Sequence, residues 1–494
     1  MTAFTDWLSD SSQERVLLME LTVYSPSASP VVETRYYSSR TFITGSADTP
    51  ANQLYQERIS GDPFFERRMS ESFSGSSFIS LGEIELSNID GGLDSWLNDS
   101  FDGRQVILKL GSPDWAISQF GTILTGIVSH IAYKSDEALL VFVKDQSQLF
   151  NTPIQEDLLA SGERKDSPIP ITYGNVYNIR PAKLPIGTSP ETYTYQIHDG
   201  PVEDVCVQLY DKGLPSAIGV TKDNNAGTFT LATAPTGEIT CDAKGALING
   251  SPGTWITKPG AILTDIASRV GATVDATSMT ALDTNAPYEL GLYIYERTNA
   301  ADVVDSLLPY GWYWGDQRGS AIFANLLQDV QSPSNVVLTI DELETQGDLQ
   351  VEIVSPVNWQ IRLGYKMNYT VNASPDDSVT EDRKEFLALE YRSASQEDTA
   401  VKVVHLDALA PDETPTQISN LTDANTEALR LLNLFKTQRT LYNVDCFVGP
   451  YQLTLGDVVM LKDTRFGLSA GVECTVVGIT EYLLGNQVSL TLWR

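Results

Sequence analysis

The sequence predicts a multidomain, mainly β protein with smaller α+β parts, and three observations lead to this prediction. A chain of 494 residues is too long for one hydrophobic core and suggests roughly three to five domains. Hydrophobic residues make up 42% of the chain and aromatic residues 9%, which is enough apolar material for a globular protein. Apolar and polar residues alternate along much of the chain, which is the period of β-strands, and helical periodicity is confined to a few short stretches.

Strands dominate the first part of the chain. Residues 15–26 predict a strand whose buried face comprises Leu17, Met19, Leu21 and Val23. Asp102-Gly103 is a tight-turn signal ahead of another strand. Two alternating runs on either side of the turn residues 134–136 predict a long β-hairpin. We therefore expect a β domain over residues 1–155.

Three later stretches have the apolar spacing of short helices. The expected buried positions are Ile262, Ile266 and Val270 in the first, Val303, Val304, Leu307 and Leu308 in the second, and Leu429, Leu432 and Phe435 in the third. Pro259 suits the first turn of the first helix, and Pro309 with Gly311 ends the second. Thr422 is the expected cap of the third helix.

The chain closes with strands. Glu473 to Tyr482 predicts a strand, Gly485-Asn486 a turn, and Val488, Leu490 and Leu492 one face of the last strand. Linkers rich in Pro, Gly and polar residues are expected at 161–170, 249–255 and 408–417. The predicted division is 1–155, a β-rich insertion at 156–255, an α+β domain with a β-hairpin at 256–330, a β-rich segment at 331–418, and a helix with closing β-hairpins at 419–494.

The charge balance excludes one class of function. The chain has 33 Lys and Arg against 64 Asp and Glu, a formal net charge of −31, without any block of five or six like charges. Tight binding to nucleic acid requires cations that displace phosphate counterions, so an affinity-driven DNA or RNA binder is not expected. The longest apolar run, Ala138 to Val143, is too short for a membrane span, and the N-terminus is acidic where a signal peptide is basic. We expect cytoplasmic synthesis without a cleaved leader.

Few residues have the pattern of a catalytic or metal site. Cys206, Cys241, Cys446 and Cys474 lack CxxC spacing and are expected to be buried thiols. The three histidines are His130, His198 and His405. His198 and Cys206 could form a nucleophile pair, but no nearby residue activates the thiol, and His130 fits an ordinary strand position. A phosphate loop, a GxSxG turn and an HExxH helix are all absent from the sequence.

Acidic pairs remain as candidates for hydrolysis. A glycosidase needs two carboxylates on either side of the bond, and Glu83 with Glu85, or Asp302 with Asp305, could supply them. The same pairs also fit solvated protein faces. We therefore expect no enzyme activity and no catalytic, cofactor or metal site.

Four further stretches have to be considered together: Leu86 to Gly111, Ser167 to Leu184, Tyr195 to Gly213, and Gly456 to Leu468 with Gly471 and the closing Ser489 to Trp493. Together they resemble segments of the tail hub proteins of long-tailed, siphovirus-like bacteriophages. They follow the family's order along the chain, whereas residues 328–417 match nothing in it.

The resemblance implies a baseplate hub at the tail tip, made in the host cytoplasm and built into the virion. Such hubs form a ring, commonly a trimer, in which two tube-like β-barrel regions per chain mimic a sixfold tube. The implied partners are the tail tube or distal tail proteins above, a central fibre or spike below, and DNA that passes during ejection without tight binding. Some relatives carry a cysteine-clustered iron–sulfur module, but Cys446 and Cys474 are isolated here, so no cofactor is expected.

Several alternatives remain open from the sequence. The acidity either keeps phosphates from adhering to a DNA channel or only maintains solubility. Arg465 either caps carbonyls of its own turn or pairs with a carboxylate of a neighbouring subunit, and Gly467 in that turn is expected to have a positive φ.

Two other functions also remain open. A receptor- or glycan-binding tail module would use exposed rings such as Tyr193, Tyr195, Trp312 and Trp314. For the two tryptophans, a buried strand under the preceding helix is the favoured interpretation. The second alternative is a hub that hydrolyses the cell wall.

Overall fold

The computed structural model describes residues 4, 7, 8, 10, 12–70, 73, 75–80, 83–160, 165–185, 187, 188, 191–248, 253–316, 318, 319, 321–330, 335–354, 356–485 and 487–494. These residues form a multidomain, mainly β protein with minor helices, which confirms the predicted class. Asn486 of the predicted turn lies outside the described residues, as do 161–164 and 249–252 of two predicted linkers.

The first 144 residues build a large sheet. Their strands are β1 Val16–Tyr24, β2 Val32–Ser38, β3 Phe42–Ile43, β4 Leu54–Glu57, β5 Ile59–Ser60, β6 Phe64–Arg68, β7 Phe78–Ser80, β8 Glu83–Ser87, β9 Gln105–Gly111, β10 Gly121–Ser135 and β11 Ala138–Lys144. All except β6 and β7 form a nine-stranded sheet in the order β3-β4-β2-β1-β9-β10-β11-β8-β5. The predicted hairpin is β10–β11, and the predicted face of β1 is buried in the main core.

This sheet curls until its two ends approach each other. A single residue, Arg58, separates β4 from β5, which lie near opposite ends of the strand order. The Arg58 amide donates to the Ser38 carbonyl at the end of β2 (3.0 Å), and its carbonyl accepts from the Ser87 amide at the end of β8 (2.7 Å). Segment 54–60 thus contributes β4 near one end of the sheet and then β5 at the other end.

The middle of the chain combines smaller sheets with three helices. Its strands are β12 Ile171–Ile179, β13 Ala182–Lys183, β14 Gly187–Thr188, β15 Glu191–Gln196, β16 Val202–Asp211, β17 Leu214–Pro215, β18 Val220–Asp223, β19 Thr228–Leu231, β20 Ile239–Ile248, β21 Thr254–Trp255, β22 Gly291–Ile294, β23 Trp312–Asp316 and β24 Ile322–Leu326. Its helices are α1 Pro259–Arg269, α2 Ala276–Asn285 and α3 Ala300–Asp305.

These strands form three sheets. One has six strands, β17-β16-β20-β12-β22 with β21 beside β20, and one has five, β13-β15-β19-β18 with β14 beside β15. The third is the hairpin β23–β24. Helices α1 and α3 confirm two of the predicted helices. The sequence did not indicate α2, because only Met279 and Leu282 of its large apolar side chains are buried, too few to mark a helical stripe.

The last third of the chain contains a second large sheet. Its strands are β25 Val336–Ile340, β26 Thr345–Val354, β27 Gln360–Tyr365, β28 Arg392–Glu397, β29 Thr414–Pro415, β30 Arg439–Cys446, β31 Val458–Leu461, β32 Val472–Tyr482 and β33 Val488–Trp493. The helices are α4 Glu381–Ala388, α5 Val401–Val404 and α6 Leu421–Phe435, and short 3-10 turns cover Asp94–Asn98, Ile117–Gln119, Gln146–Asn151 and Gly449–Gln452. An eight-stranded sheet has the order β25-β31-β32-β33-β30-β26, with β6 beside β32 and β7 beside β6, and β28-β27-β29 form a separate three-stranded sheet.

The eight-stranded sheet is also curved. Its edge strands β25 and β26 are joined by the short loop between Ile340 and Thr345, which can span at most about 18 Å. In a flat sheet, five strand spacings would separate the two edges by about 24 Å. In the described part of the chain no sheet closes into a barrel, however. The predicted β-barrel regions are therefore open sheets: among the described residues β25 and β26 do not pair, and the end strands β3 and β5 of the first sheet do not pair either, although Arg58 bonds to the nearby strands β2 and β8.

Helix α6 differs in detail from its prediction. Asn420, rather than Thr422, caps it by accepting a hydrogen bond from the Asp423 amide (2.9 Å). Leu429 is 47% exposed, whereas Leu432 is buried and Phe435 partly buried. The buried stripe includes Ala424, Ala428 and Leu431, whose small members let the helix approach strands β27 and β28 closely but do not stand out as an apolar pattern.

One hydrophobic core joins the two large sheets. It contains Leu17 and Leu108 of the nine-stranded sheet together with Val476, Leu490 and Trp493 of the eight-stranded sheet. The two ends of the chain therefore fold as one body. None of the helices in the described residues has the length and apolarity to cross a membrane.

Candidate functional site at the junction of the chain ends

Strand β6 connects the first part of the chain to the last. It leaves the N-terminal sheet and pairs antiparallel with β32, Phe64 opposite Tyr482 and Arg68 opposite Gly478. Alternation places Phe65 and Arg67 inward, where both are buried. An arginine thus points into the shared interior.

A buried carboxylate is the counterion of this arginine. Arg67 Nη2 lies 3.1 Å from Glu481 Oε1, and Arg318 Nη2 lies 2.6 Å from the same oxygen. Glu481 is fully buried, and burial lowers the pKa of Arg67 to about 10, so the guanidinium remains charged at neutral pH. The two arginines also donate to the carbonyls of Leu453 and Tyr451 (3.2 and 3.0 Å). The cluster ties the beginning, middle and end of the chain together.

The tip of hairpin β23–β24 brings Arg318 to this place. The Thr125 amide in β10 donates to the Arg318 carbonyl (3.1 Å), and the Gln146 side chain donates to the Gly319 carbonyl (2.9 Å). Gly319 has a φ of +78°, and a Cβ there would collide with the Thr125 carbonyl oxygen. Only glycine allows this backbone approach.

Asp316 anchors the same tip from inside. Its carboxylate accepts from the backbone amides of Gln146 (2.7 Å) and Gly319 (2.8 Å). Burial, with a smaller contribution from the neighbouring Asp145 carboxylate, raises the pKa of Asp316 to about 7. The protonation state of Asp316 therefore changes near neutral pH.

The contacts of the histidines and cysteines are those of structural residues. His130 lies in β10 and stacks on Phe142, with ring centroids 4.2 Å apart. His198 Nδ1 accepts from the Thr172 amide (3.1 Å), and its Nε2 lies 3.4 Å from the Asp199 carboxylate. Both ring nitrogens thus face groups other than Cys206. All four cysteines are buried and free, and the Cys206 thiol together with burial raises the pKa of Cys241.

In each candidate carboxylate pair, one residue makes a structural contact and the other is exposed to solvent. Glu85 pairs with Lys134 (2.7 Å), which lowers the pKa of Glu85, and Glu83 is exposed. Asp305 accepts from the Trp314 indole (2.7 Å), and Asp302 is exposed. Within the described ranges, no three His, Cys, Asp or Glu side chains gather in a way that could hold a metal ion.

The tryptophans of the proposed stacking surface are interior residues. Trp312 and Trp314 lie in β23, are at most 1% exposed, and pack in the same core as α3. The prediction of a strand under the preceding helix is confirmed. Tyr195 is also buried, against Phe229.

The terminal turn has the predicted backbone. Gly467 has a φ of +74°, and Phe466 before it also has a positive φ. Arg465 is exposed, and its guanidinium lies over the Phe466 ring (5.2 Å). Other groups than the Arg465 guanidinium stabilise the turn: the Leu468 amide donates to the Arg465 carbonyl (3.0 Å), and the Asp463 carboxylate accepts from the Arg465 amide (2.6 Å).

The chain is similar in structure to phage and prophage tail proteins. A 43 kDa prophage tail protein from Shewanella oneidensis is 10% identical, with 97% of this chain and 96% of that chain covered and a TM-score of 0.40. A tail protein from Neisseria meningitidis is 8% identical, with 97% of both chains covered and a TM-score of 0.39. A chain in the virion of a gene transfer agent is 12% identical, with 69% of this chain and 87% of that chain covered and a TM-score of 0.46. No family model and no curated protein matches the sequence.

Proposed function

We propose that this protein is the structural hub of a phage tail baseplate, a ring of three copies that joins the tail tube to a central fibre or spike. The observation that carries the proposal is the pair of curled sheets, built from the two chain ends around one core. Two such units per chain supply six units in a ring of three, the number that continues a sixfold tube.

Each curled sheet acts as one tube-like unit in this proposal. In the first, Arg58 hydrogen-bonds to both ends of the sheet. In the second, the short loop from Ile340 to Thr345 holds the edges close together. The insertions between the units correspond to the proposed parts 156–255 and 256–330 and to residues 356–418, which project from the ring. The remainder of the proposed part 331–418 contains β25 and β26 and belongs to the second unit. Arg465, exposed at a turn of the second unit, is available to a carboxylate of the next copy.

We assign the channel wall to the solvent face of the eight-stranded sheet. A shallow cleft of about 210 Å³ on this face is lined by Glu66, Asp348 and Asp445, with Arg68 as its cation. Screening acts over roughly 8 Å at physiological salt, so such a wall repels a passing duplex only at close range. DNA then passes without adhering, because the wall offers few cations to its phosphates.

The oligomeric state tests the ring directly. Purified protein examined by mass photometry and negative-stain imaging is expected to give particles of three times 54.2 kDa with a central hole. A compact monomer at high concentration and within the virion would overturn the proposal.

A charge experiment tests the channel. Asp348→Lys with Gln350→Lys on β26 should slow genome ejection at low salt and be partly rescued at high salt, because phosphate contacts weaken steeply with salt. Glu381→Lys with Asp382→Lys on α4 is the matched control and should leave ejection unchanged. If both pairs behave alike, the acidity serves solubility and the wall assignment is wrong.

A further inference from the structure

A tyrosine-lined groove opens in the middle of the chain, away from the junction. Its main cleft has a volume of about 640 Å³, within the roughly 300–1,000 Å³ of clefts that bind small ligands. Tyr195, Tyr293, Tyr295 and Tyr369 line it. A second cleft of about 310 Å³ shares the last three of these rings, so the two clefts form one groove with Tyr295 between them.

The rings of the groove are fixed in place. Tyr293 donates its hydroxyl to the Arg180 carbonyl (2.8 Å). Tyr369 donates to the Gly291 carbonyl (3.2 Å) and accepts from the Tyr293 amide (2.9 Å). Tyr295 stacks on Tyr293 with centroids 5.6 Å apart and an interplanar angle of 25°. Tyr295 is nevertheless 39% exposed, which makes it a rigid aromatic platform open to a ligand.

The groove is poorly suited to a peptide that adds a strand. Its floor is β22, the last strand of the six-stranded sheet. Three backbone groups on the outward side of β22 are already bonded. The Gly291 amide donates to the Gln417 carbonyl (2.8 Å), and the Tyr369 hydroxyl bonds to the Gly291 carbonyl and the Tyr293 amide. Strand addition depends on free backbone groups, so recognition here falls to rings and charged side chains.

The two clefts of the groove differ in charge. Arg180 and Lys183 line the main cleft with a single carboxylate, Glu238, whereas Glu296 and Asp302 line the second cleft. Arg180 Nε lies 3.1 Å from Glu238, and both side chains are largely exposed. In a chain with nearly twice as many acidic as basic residues, a cleft with more cations than carboxylates favours an anionic ligand.

We infer that this groove binds an oligosaccharide whose acidic groups lie in the main cleft, between Arg180 and Lys183. A sugar ring has an apolar C–H face, which stacks on an aromatic ring such as Tyr295, and a rim of hydroxyl groups. The Arg180–Glu238 pair offers donors and an acceptor to that rim, and Lys183 with Arg180 attracts the acid. The inference does not depend on the ring proposed above.

Binding of defined saccharides tests this inference. The full chain is applied to an array of acidic and neutral bacterial surface glycans, and is titrated calorimetrically with tetragalacturonate and with its methyl ester, which has the same rings without charge. We expect binding restricted to acidic glycans, and tetragalacturonate to bind about tenfold more tightly than the ester. Lack of binding to every acidic saccharide, or equal binding of acid and ester, would overturn the inference.

Matched variants locate the site. Tyr295→Ala should weaken binding about tenfold or more, because it removes the exposed platform. Tyr24→Ala removes a ring of almost equal exposure, 37%, on β1 and should leave binding unchanged. Lys183→Met should reduce the preference for acid over ester, with the ester affinity retained. If Tyr295→Ala and Tyr24→Ala bind alike while both remain folded by circular dichroism, the groove is not the site.

Discussion

The two large sheets share a core but end differently. The nine-stranded sheet finishes in β3 and β5, each two residues long, and Arg58 connects its ends. The eight-stranded sheet finishes in β26, ten residues long, with Ile353 61% exposed and Val351 36% exposed. Short edges protect a sheet from further pairing, whereas a long apolar edge is a template for another chain. The first sheet is therefore self-contained, and the second carries the edge at which a ring can be joined.

The largest effect is expected where the two sheets are locked together. Glu481→Gln removes the carboxylate that pairs with two arginines, and it leaves Arg67 buried without this counterion. Breaking a buried pair in this way costs about 3–5 kcal/mol, which should lower the unfolding midpoint by many degrees in a thermal scan.

An exposed ion pair is the control for this variant. Glu381→Gln removes the partner of Lys384 on the surface of α4, where such pairs contribute roughly 0–1 kcal/mol. If both variants unfold at the same temperature, the junction does not hold the sheets together.

A smaller, pH-dependent effect is expected at Asp316, where the hairpin tip meets the nine-stranded sheet. Its folded-state pKa is raised to about 7 from 3.8, so the folded protein binds a proton that the unfolded chain releases. This contribution to stability is fully present below about pH 4 and is lost as the pH rises through 7.

The comparison with Asp316→Asn isolates this titration. The thermal stability of the native protein relative to the variant should fall by about 1–3 kcal/mol between pH 5 and pH 8, since each pKa unit corresponds to about 1.4 kcal/mol. A constant difference across this range would show that Asp316 does not titrate there.

Turn glycines test whether the two sheets depend equally on their turns. Gly467→Val places a β-branched side chain at a φ of +74° with no neighbouring atom in the way, so backbone strain of about 1–2 kcal/mol is the whole cost. Gly103→Val is the matched change in the nine-stranded sheet, at a φ of +70° in equally open space. Similar losses in thermal stability are expected, and an unchanged midpoint for Gly467→Val would mean that the turn readjusts.

The smallest effect on folding, under about 0.5 kcal/mol, is expected at the open edge. Ile353→Lys places a charge on β26 and should shift trimers to monomers in mass photometry while the thermal midpoint is retained. Val32→Lys, at a valine 43% exposed in β2, is the control and should still form trimers. Trimers from both variants would contradict a role for β26 in the ring.

The sequence predicted most of the elements that depend on local pattern. Alternation located β1, the β10–β11 hairpin and β33, since burial of one face leaves a visible period of two. It did not predict the junction, because pairing between β6 and β32 is a contact between distant segments. Arg67 and Glu481 look like ordinary charges in sequence, and only the strand register shows that both point inward.

The sequence identified one tyrosine that lines the aromatic groove, but it did not identify the exposed ring. Tyr195 was identified, but it is buried against Phe229, and the two tryptophans are core residues. The exposed ring, Tyr295, follows a short buried strand and has no pattern that separates it from other tyrosines. Its place beside Arg180 and Tyr369 results from three segments that meet only in the fold.

The separation of Arg67 from Glu481 has a consequence for how the protein is made. The two residues are 414 positions apart. A ribosome adding about 5–20 residues per second needs roughly 20–80 s between them. During that time β6 can pair with β7 but lacks its second partner β32, and Arg67 lacks the Glu481 carboxylate. Nascent chains therefore cannot complete the junction before the last strands emerge, and prematurely ended chains are left with one edge of β6 unpaired, which proteases and chaperones can recognise.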